Sequence, residues 1–327
     1  MSFSLVIKCN FEVDHTEVDH TNNLLALVNS RSLFIYTNLT VILAATKRHE
    51  KAIQYFKHYL MKSQKFSGFS PPYALITGGS KGIGYGIAEA LAKRGYNLIL
   101  VARHQDMLLA AKNNLESTYN IHVEILVNDL SHEESADEIT QWCISRNISL
   151  KLLCNNAGIG GAEDYLSASL DRMRYMVRLN VESGMVLTFR LLPLLEKNTP
   201  SYIMNVASMA GFAPIPIKNL YAATQSAVIF FSYSLRYQLK DKNISVSCLA
   251  PGPVYTTPEI VKETKKQLGW WADKIAITPK RAGEIAVRKT LQKKMIIVPG
   301  TLAKLISMLL RVVPRRFITA IYAGLKK

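Results

Sequence analysis

The chain has 327 residues, 49% of them hydrophobic, which predicts a globular protein with a sizeable core, either one large α/β domain with extensions or two small domains. Its 40 Lys and Arg residues against 24 Asp and Glu favour acidic partners such as anionic lipid, nucleic acid or phosphorylated ligands. The four cysteines lie far apart without a Cys-x-x-Cys pair, which argues against a cysteine metal site and predicts reduced thiols in a cytoplasmic protein: Cys9, Cys143, Cys154 and Cys248.

Residues 1–72 form a predicted N-terminal extension. Four of its side chains are spaced like metal ligands: Asp14, His15, Asp19 and His20. Short polar runs are usually solvated, so we expect no metal site there. Residues 24–45 are apolar and long enough to span about 30 Å as a helix, and no secretory signal pattern precedes them. Arg31 interrupts this segment, so a helix packed on the protein or lying on a membrane is favoured over a transmembrane span.

A basic, aromatic segment over residues 46–65 and a Ser-, Gly- and Pro-rich linker over 67–72 lead into a region where short apolar runs alternate with amphipathic segments. The runs predict strands at 73–77, 97–102, 122–127, 150–154, 201–206 and 245–249. The segments between them predict helices at 83–94, 105–119, 133–145, 166–195 and 220–239. This alternation predicts an α/β domain with a doubly wound parallel sheet, the Rossmann fold, over residues 73–299.

A glycine-rich turn joins the first predicted strand to the first helix, with the spacing Gly-x-x-x-Gly-x-Gly over residues 78–84. Glycines at such a turn let the backbone approach a pyrophosphate, whose charge a helix N-terminus favours. Further motifs follow the later strands in order. They are Asn128-Asp129-Leu130, Asn155-Asn156-Ala157-Gly158, Asn180, Ser208, Tyr221 and Pro251-Gly252-Pro253-Val254-Tyr255-Thr256.

Together these motifs resemble the short-chain dehydrogenase/reductase superfamily, and specifically its NADP-dependent acyl- and steroid-type reductases. The resemblance implies a nicotinamide cofactor and hydride transfer between that cofactor and a carbonyl or alcohol carbon. It assigns the pyrophosphate to Gly78, Gly82, Ile83 and Gly84, and the adenosine ribose to Ser80. It implies that Asp129 and Leu130 contact the adenine and that Asn156 and Gly158 lie along the cofactor. The nicotinamide would be flanked by Pro251, Gly252, Val254 and Thr256.

The expected cofactor is NADP(H), for a reason of charge. An acidic residue after the second strand would hold the ribose hydroxyls and repel a 2′-phosphate. Here that position has Arg103, and the glycine loop adds Lys81. Two cations and no carboxylate favour the phosphorylated dinucleotide.

The catalytic signature Tyr-x-x-x-Lys is altered, because Gln225 stands where the family has lysine. By resemblance, Ser208 would hydrogen-bond the substrate oxygen, Tyr221 would exchange its proton, and Asn180 would hold a water near the lysine site. The family's lysine binds the nicotinamide ribose and eases deprotonation of the tyrosine. Glutamine keeps hydrogen-bonding capacity but has no charge, so Tyr221 and Gln225 are expected to contact the cofactor while catalysis is impaired.

Two functions remain open on this evidence: an NADPH-dependent reductase of a lipophilic ketone, acyl or steroid-like, and a catalytically weak or inactive scaffold that binds the cofactor at a membrane. Residues 285–327 contain ten Lys or Arg and no Asp or Glu. Residues 300–327 therefore predict either a basic membrane anchor or a helix covering the substrate cleft or a dimer surface. Nucleic acid is not expected, since no aromatic platform accompanies the charge. The resemblance also implies a homo-oligomer paired through helices 166–195 and 220–239.

Overall fold

One parallel sheet of seven strands organises the residues that the computed structural model describes, 71–161 and 165–324. The strands are β1 (Tyr73–Thr77), β2 (Asn97–Ala102), β3 (Val123–Val127), β4 (Leu150–Asn155), β5 (Ser201–Val206), β6 (Ile244–Leu249) and β7 (Ile296–Ile297). Their order across the sheet is β3-β2-β1-β4-β5-β6-β7. The order reverses between β1 and β4, and open α/β sheets bind ligands at the carboxyl ends of the strands beside such a reversal. The predicted Rossmann fold is confirmed.

Helices cover both faces of the sheet. They are α1 (Gly82–Ala92), α2 (Gln105–Thr118), α3 (Ser135–Ser145), α4 (Leu170–Val177), α5 (Ser183–Lys197), α6 (Asn219–Gln238), α7 (Pro258–Leu268), α8 (Ala272–Ile275), α9 (Pro279–Leu291), α10 (Thr301–Val312) and α11 (Arg315–Gly324). A π-helical turn, Arg178–Glu182, joins α4 to α5. Short 3-10 helices at Met209–Phe212 and Pro216–Lys218 lie between β5 and α6.

The strands are apolar on both faces because helices bury both faces. One core contains Ile87 of α1 and Leu108 of α2, and the other contains Ile139 of α3 and Leu187 of α5. Helices α1 and α9 approach unusually closely: a Cβ added to Gly283 would lie 2.1 Å from backbone atoms of Gly86. Two glycines at one crossing therefore fix the position of α1, the helix that follows the glycine-rich loop.

The structure corrects the predicted helix over residues 166–195. Helix α4 begins only at Leu170, because the Ser169 side chain caps it by accepting from the backbone N–H of Arg172 at 3.2 Å. The following π-helical turn coincides with Asn180, whose side chain is bonded to the backbone of Ile159. Strand β7 and helices α7 and α9 were not predicted, although Thr278 and Pro279 are a typical helix start.

Several predictions fall on residues outside the described ranges. They concern the polar run at 9–23, the apolar segment at 24–45, the basic segment at 46–65, most of the linker at 67–72 and the last three residues. In residues 71–161 and 165–324 no helix is long and apolar enough to cross a membrane. Across the same ranges, no group of His, Cys, Asp and Glu side chains could hold a metal ion. Cys143, Cys154 and Cys248 are free thiols and are buried.

Candidate active site

The glycine-rich loop between β1 and α1 has a backbone shape that glycine permits. Gly78 and Gly82 have φ values of +65° and +58°, in the left-handed region. A Cβ on Gly84 would lie 2.1 Å from the carbonyl oxygen of Gly78, so no larger residue fits without moving the loop. Helix α1 has no side-chain cap and no acidic residue in its first turn. The backbone N–H groups of its first turn are therefore available to bind an anion. The glycine-rich loop and this helix start, called the pyrophosphate cradle below, have a shape and polarity that suit a pyrophosphate.

The end of β4 is tied to this loop through two side chains. The Thr77 hydroxyl accepts from the backbone N–H groups of Asn156 at 2.9 Å and Ala157 at 3.0 Å. The Asn156 amide donates to the carbonyls of Thr77 at 2.9 Å and Gly78 at 3.2 Å. Asn156 was predicted to lie along the cofactor, and its side chain fixes the loop that would hold that cofactor. Thr77 was not singled out from the sequence, although it directly precedes the glycines.

Arg103 lies at the predicted adenosine end of the site, after β2. Its guanidinium donates to the Tyr175 hydroxyl at 2.6 Å and lies 3.8 Å from the Asp129 carboxylate. Partial burial opposes ionisation of Asp129, but hydrogen bonds from Ser131 and the charge of Arg103 lower the pKa of that carboxyl. Arg103 also lines a polar cavity of about 440 Å³ that Asp129 and His132 share. Most of the five N–H donors of the guanidinium remain available for a phosphate. Tyr175 gives no signal in the sequence.

The loop after β6 closes over the glycine-rich loop. A Cβ on Gly82 would lie 3.3 Å from the Cγ2 atom of Thr256. The Pro251 carbonyl accepts from the backbone N–H of Met209, next to Ser208, at 3.0 Å. The predicted nicotinamide loop thus adjoins both the glycine-rich loop and the segment that begins at Ser208.

Ser208 and Tyr221 meet beside this loop. The Ser208 side chain accepts from the backbone N–H of Ala210 at 3.2 Å and lies beside the Tyr221 hydroxyl. Burial raises the pKa of the Tyr221 phenol, and the neighbouring Ser208 hydroxyl offsets this only in part. Among the described residues no cation lowers that pKa, and Lys218, three residues earlier, has no such effect. Tyr221 is therefore a neutral hydrogen-bond donor at pH 7.

Gln225 lies one helical turn after Tyr221 on α6 and is 6% exposed. Its Nε2 donates to the Thr224 hydroxyl at 3.3 Å, and the Asn180 amide donates to the same hydroxyl at 3.2 Å. The Thr224 hydroxyl in turn donates to the Tyr221 carbonyl at 2.8 Å. Thr224 thus connects three of the predicted catalytic residues. It lies inside the Tyr-x-x-x-Gln signature, but only its buried contacts show this role.

Asn180 is held from a second side. Its Oδ1 accepts from the backbone N–H of Ile159 at 2.8 Å, and its Nδ2 donates to the Ile159 carbonyl at 2.9 Å. A Cβ on Gly158 would lie 3.2 Å from Asn180 Oδ1. The segment after β4, including Gly158, is therefore fixed against the π-helical turn that contains Asn180.

The carboxyl ends of β1, β4, β5 and β6 thus bring together a pyrophosphate cradle and a Ser–Tyr pair, the arrangement of a nicotinamide-dependent oxidoreductase. The family model described as short chain dehydrogenase matches residues 72–268, more than half of the chain, and the protein belongs to this family.

Known relatives agree with this assignment. The very-long-chain 3-oxoacyl-CoA reductase of Mus musculus is 32% identical over 188 residues, 56% of this chain and 60% of the relative, so the chain spans about three fifths of that protein. The structure of L-sorbose reductase from Gluconobacter frateurii with NADPH and L-sorbose is 26% identical, with a TM-score of 0.64 over 72% of this chain and 98% of that one. The alcohol dehydrogenase of the archaeon Thermococcus sibiricus with 5-hydroxy-NADP is 25% identical, with a TM-score of 0.60 over 70% of this chain and 96% of that one.

Proposed function

We propose that this protein binds NADPH and slowly reduces the carbonyl group of a lipophilic acyl or steroid-like substrate to an alcohol. The observation on which this rests is the placement of Ser208 and Tyr221 together beside the loop after β6, which itself contacts the glycine-rich loop, with a buried, uncharged Gln225 one turn after Tyr221. The geometry retains the groups that would position and protonate a carbonyl oxygen. It lacks the positive charge that lysine has at position 225 in the family signature.

NADP(H) is the cofactor that the charges favour. Arg103 and the exposed Lys81 supply two cations near the predicted adenosine ribose, where a 2′-phosphate would lie. The structures of the sorbose reductase and the archaeal alcohol dehydrogenase contain NADPH and an NADP derivative, which supports the same choice for this chain. The uncapped N-terminus of α1 would hold the pyrophosphate, and Pro251, Gly252, Val254 and Thr256 would border the nicotinamide.

The bound cofactor supplies the hydride that the carbonyl carbon accepts. The chain's own contribution is at the oxygen: Ser208 donates a hydrogen bond to it and Tyr221 transfers its hydroxyl proton to it. Because burial keeps Tyr221 protonated, the residue is already in the form that reduction needs. Alcohol oxidation instead needs the phenolate, which is scarce at neutral pH when the pKa is above 10. Loss of the neighbouring cation is expected to slow catalysis by about 10² to 10³-fold, as for the removal of one electrostatic group.

A lipophilic substrate is favoured by the name of the murine relative and by the basic character of residues 285–324. The murine relative is named for very-long-chain 3-oxoacyl-CoA reduction, and an acyl ketone is the substrate class that we propose first. Such substrates partition into lipid, and residues 285–324 contain no acidic residue. We therefore propose that the protein acts at an anionic membrane surface. Exposed Phe189 on α5 and Tyr237 on α6 support the proposed pairing of two copies through these helices.

The alternative is a cofactor-binding scaffold without turnover, and Gln225 is the observation that favours it. The two are separated by comparing the natural chain with Gln225→Lys and Tyr221→Phe. We first measure NADPH binding by quenching of protein fluorescence, and then NADPH consumption with a panel of acyl and steroid ketones. A reductase predicts binding by all three proteins, turnover that rises at least about tenfold in Gln225→Lys, and none in Tyr221→Phe. If NADPH binds but neither the natural chain nor Gln225→Lys consumes it with any ketone, the scaffold function stands.

A further inference from the structure

Helices α10 and α11 expose an apolar surface on the side away from the protein core. On α10, the residues Leu305, Met308, Leu309 and Val312 are 54% to 82% exposed. Their spacing of three and four residues places them on one face of the helix. The opposite face contains Ala303 and Ser307, both 1% exposed, and packs on the protein.

Helix α11, which follows α10 after Pro314, exposes two further large apolar residues. Phe317 and Ile321, one turn apart, are 51% and 63% exposed, whereas Ile318 is buried. Arg315 donates to the Phe212 carbonyl, and the Arg311 guanidinium lies 4.3 Å from the centre of the Phe212 ring. These contacts attach both helices to the 3-10 helix that follows Ser208, so the exposed apolar residues are held in a fixed place. We name the six of them the apolar face: Leu305, Met308, Leu309, Val312, Phe317 and Ile321.

The charged residues of α10 and α11 are all Lys or Arg. Lys304 and Arg311, seven residues apart, flank the exposed stripe on one side of α10. Arg315 and Arg316 are exposed at the start of α11, and the Arg316 guanidinium lies 4.8 Å from the Phe317 ring centre. Since residues 285–324 contain no Asp or Glu, no charge within this segment compensates them.

We infer that the apolar face docks on an anionic lipid bilayer, with its large side chains in the interface and the flanking cations on the lipid headgroups. An apolar stripe bordered by Lys and Arg is the pattern of helices that lie in a membrane interface. A second copy of this chain suits the surface less well, because a two-fold contact at these helices would bring two sets of cations together, with no Asp or Glu in residues 285–324 to pair with them. This assignment rests on the proposed membrane association and not on the proposed reaction.

Docking would also place the active site at the membrane. A Cβ on Gly252, in the predicted nicotinamide loop, would lie 3.3 Å from Sδ of Met209 and 3.7 Å from Cβ of Ala303. Helix α10 therefore backs directly onto the segment between Ser208 and the cofactor loop. A bilayer on its outer side puts lipophilic substrate next to the cleft.

A local fluorescent probe tests the apolar face in the full chain. In a Cys9→Ser background the three described cysteines are buried, so Met308→Cys can be labelled with an environment-sensitive dye. Leu109→Cys, on an exposed position of α2, is the matched control. With vesicles of phosphatidylcholine and phosphatidylserine, the dye at position 308 should shift to the blue and brighten, and the control dye should not. Phosphatidylcholine alone or high salt should abolish the response.

Neutralisation by Lys304→Gln with Arg316→Gln should weaken the vesicle affinity reported by the dye at position 308 by roughly 25-fold, since each cation near an anionic surface contributes about fivefold. Flotation of the same samples reports association through any part of the chain. If the protein floats while the dye at 308 is silent, another segment binds the membrane and the docking assignment is wrong. If neither responds, the proposed membrane association fails as well.

Two further outcomes also refute the assignment. If the emission of the dye at position 308 is blue-shifted relative to the control dye without vesicles, and the shift increases with protein concentration, a second copy of the chain covers the apolar face. The same shift independent of concentration identifies another segment of the chain.

Discussion

Replacing Gln225 with lysine is expected to lower the pKa of Tyr221 and so shift the pH dependence of alcohol oxidation. Side chains at positions i and i+4 of a helix have Cβ atoms about 5–6 Å apart. Gln225 is 6% exposed, so a charge at this position acts through a medium of low polarity. With an effective dielectric constant of about 20, an ammonium at that distance stabilises the phenolate by about 3 kcal/mol. This corresponds to a pKa that is about 2 units lower.

The direction of the shift in the pH profile follows from the protonation state of Tyr221 that oxidation requires. In the natural chain burial raises the pKa of Tyr221 above its usual value of 10, so kcat for oxidation should still be rising at pH 10. In Gln225→Lys the rise should occur about 2 pH units lower, because the phenolate forms at lower pH. The assay is kcat for a secondary alcohol at saturating NADP⁺ between pH 6 and about 10.5, where Tyr is the titrating group.

Gln225→Met is the control, since it removes the amide without adding charge. Tyr221→Phe should lack the pH-dependent rise altogether. If the Lys and Met variants, both folded and both binding NADP⁺, show the same pH profile, then the charge at position 225 does not act on Tyr221. Absence of the lysine would then not be the cause of impaired proton transfer.

Three other substitutions test separate parts of the site. Gly84→Ala places a Cβ 2.1 Å from a carbonyl oxygen, and should abolish NADPH binding and lower the free energy of unfolding by about 2–4 kcal/mol in urea titrations. Arg103→Glu should weaken NADPH binding by about 10 to 100-fold and leave NADH binding within a few-fold, measured by fluorescence titration, and equal losses would contradict a 2′-phosphate site. Thr224→Val leaves the Asn180 amide without its shared acceptor and should cost about 1–3 kcal/mol of stability, whereas Thr224→Ser should restore it in thermal melts.

The sequence predicted six of the seven strands because each is a short, mainly apolar run, such as residues 97–102, and such runs are typical of strands in a parallel sheet. It also identified residues at the carboxyl ends of four strands that the fold brings together. Helices α7 and α9 were missed. Their mixed polar composition resembles that of loops, and their starts are marked only by a Thr-Pro pair. Burial of one face depends on contacts made elsewhere, such as the Gly86–Gly283 crossing.

The roles of Thr77, Tyr175 and Thr224 were beyond sequence reasoning for a related cause. Each acts through a partner distant along the chain: Thr77 through Asn156, Tyr175 through Arg103 and Thr224 through Asn180. A single hydroxyl does not change the hydrophobic periodicity of a segment, and its hydrogen-bond partner is known only once the folded structure brings the two residues together. By contrast, Tyr221 and Gln225 are neighbours on one helix, so their relation could be predicted from spacing alone.

Gln225 is accommodated in the protein by hydrogen bonding rather than by charge, and this bears on what the site retains. A buried lysine is stable only when its charge is paired or solvated, so in its family role it depends on the ribose hydroxyls of a bound cofactor. The Gln225 amide instead donates to Thr224, the hydroxyl that also receives the Asn180 amide. Neutral side chains therefore join the π-helical turn that contains Asn180 to α6. In the proposed reaction the site therefore has its geometry preformed and its electrostatic assistance removed, and Tyr221 would transfer its proton with only Ser208 beside it.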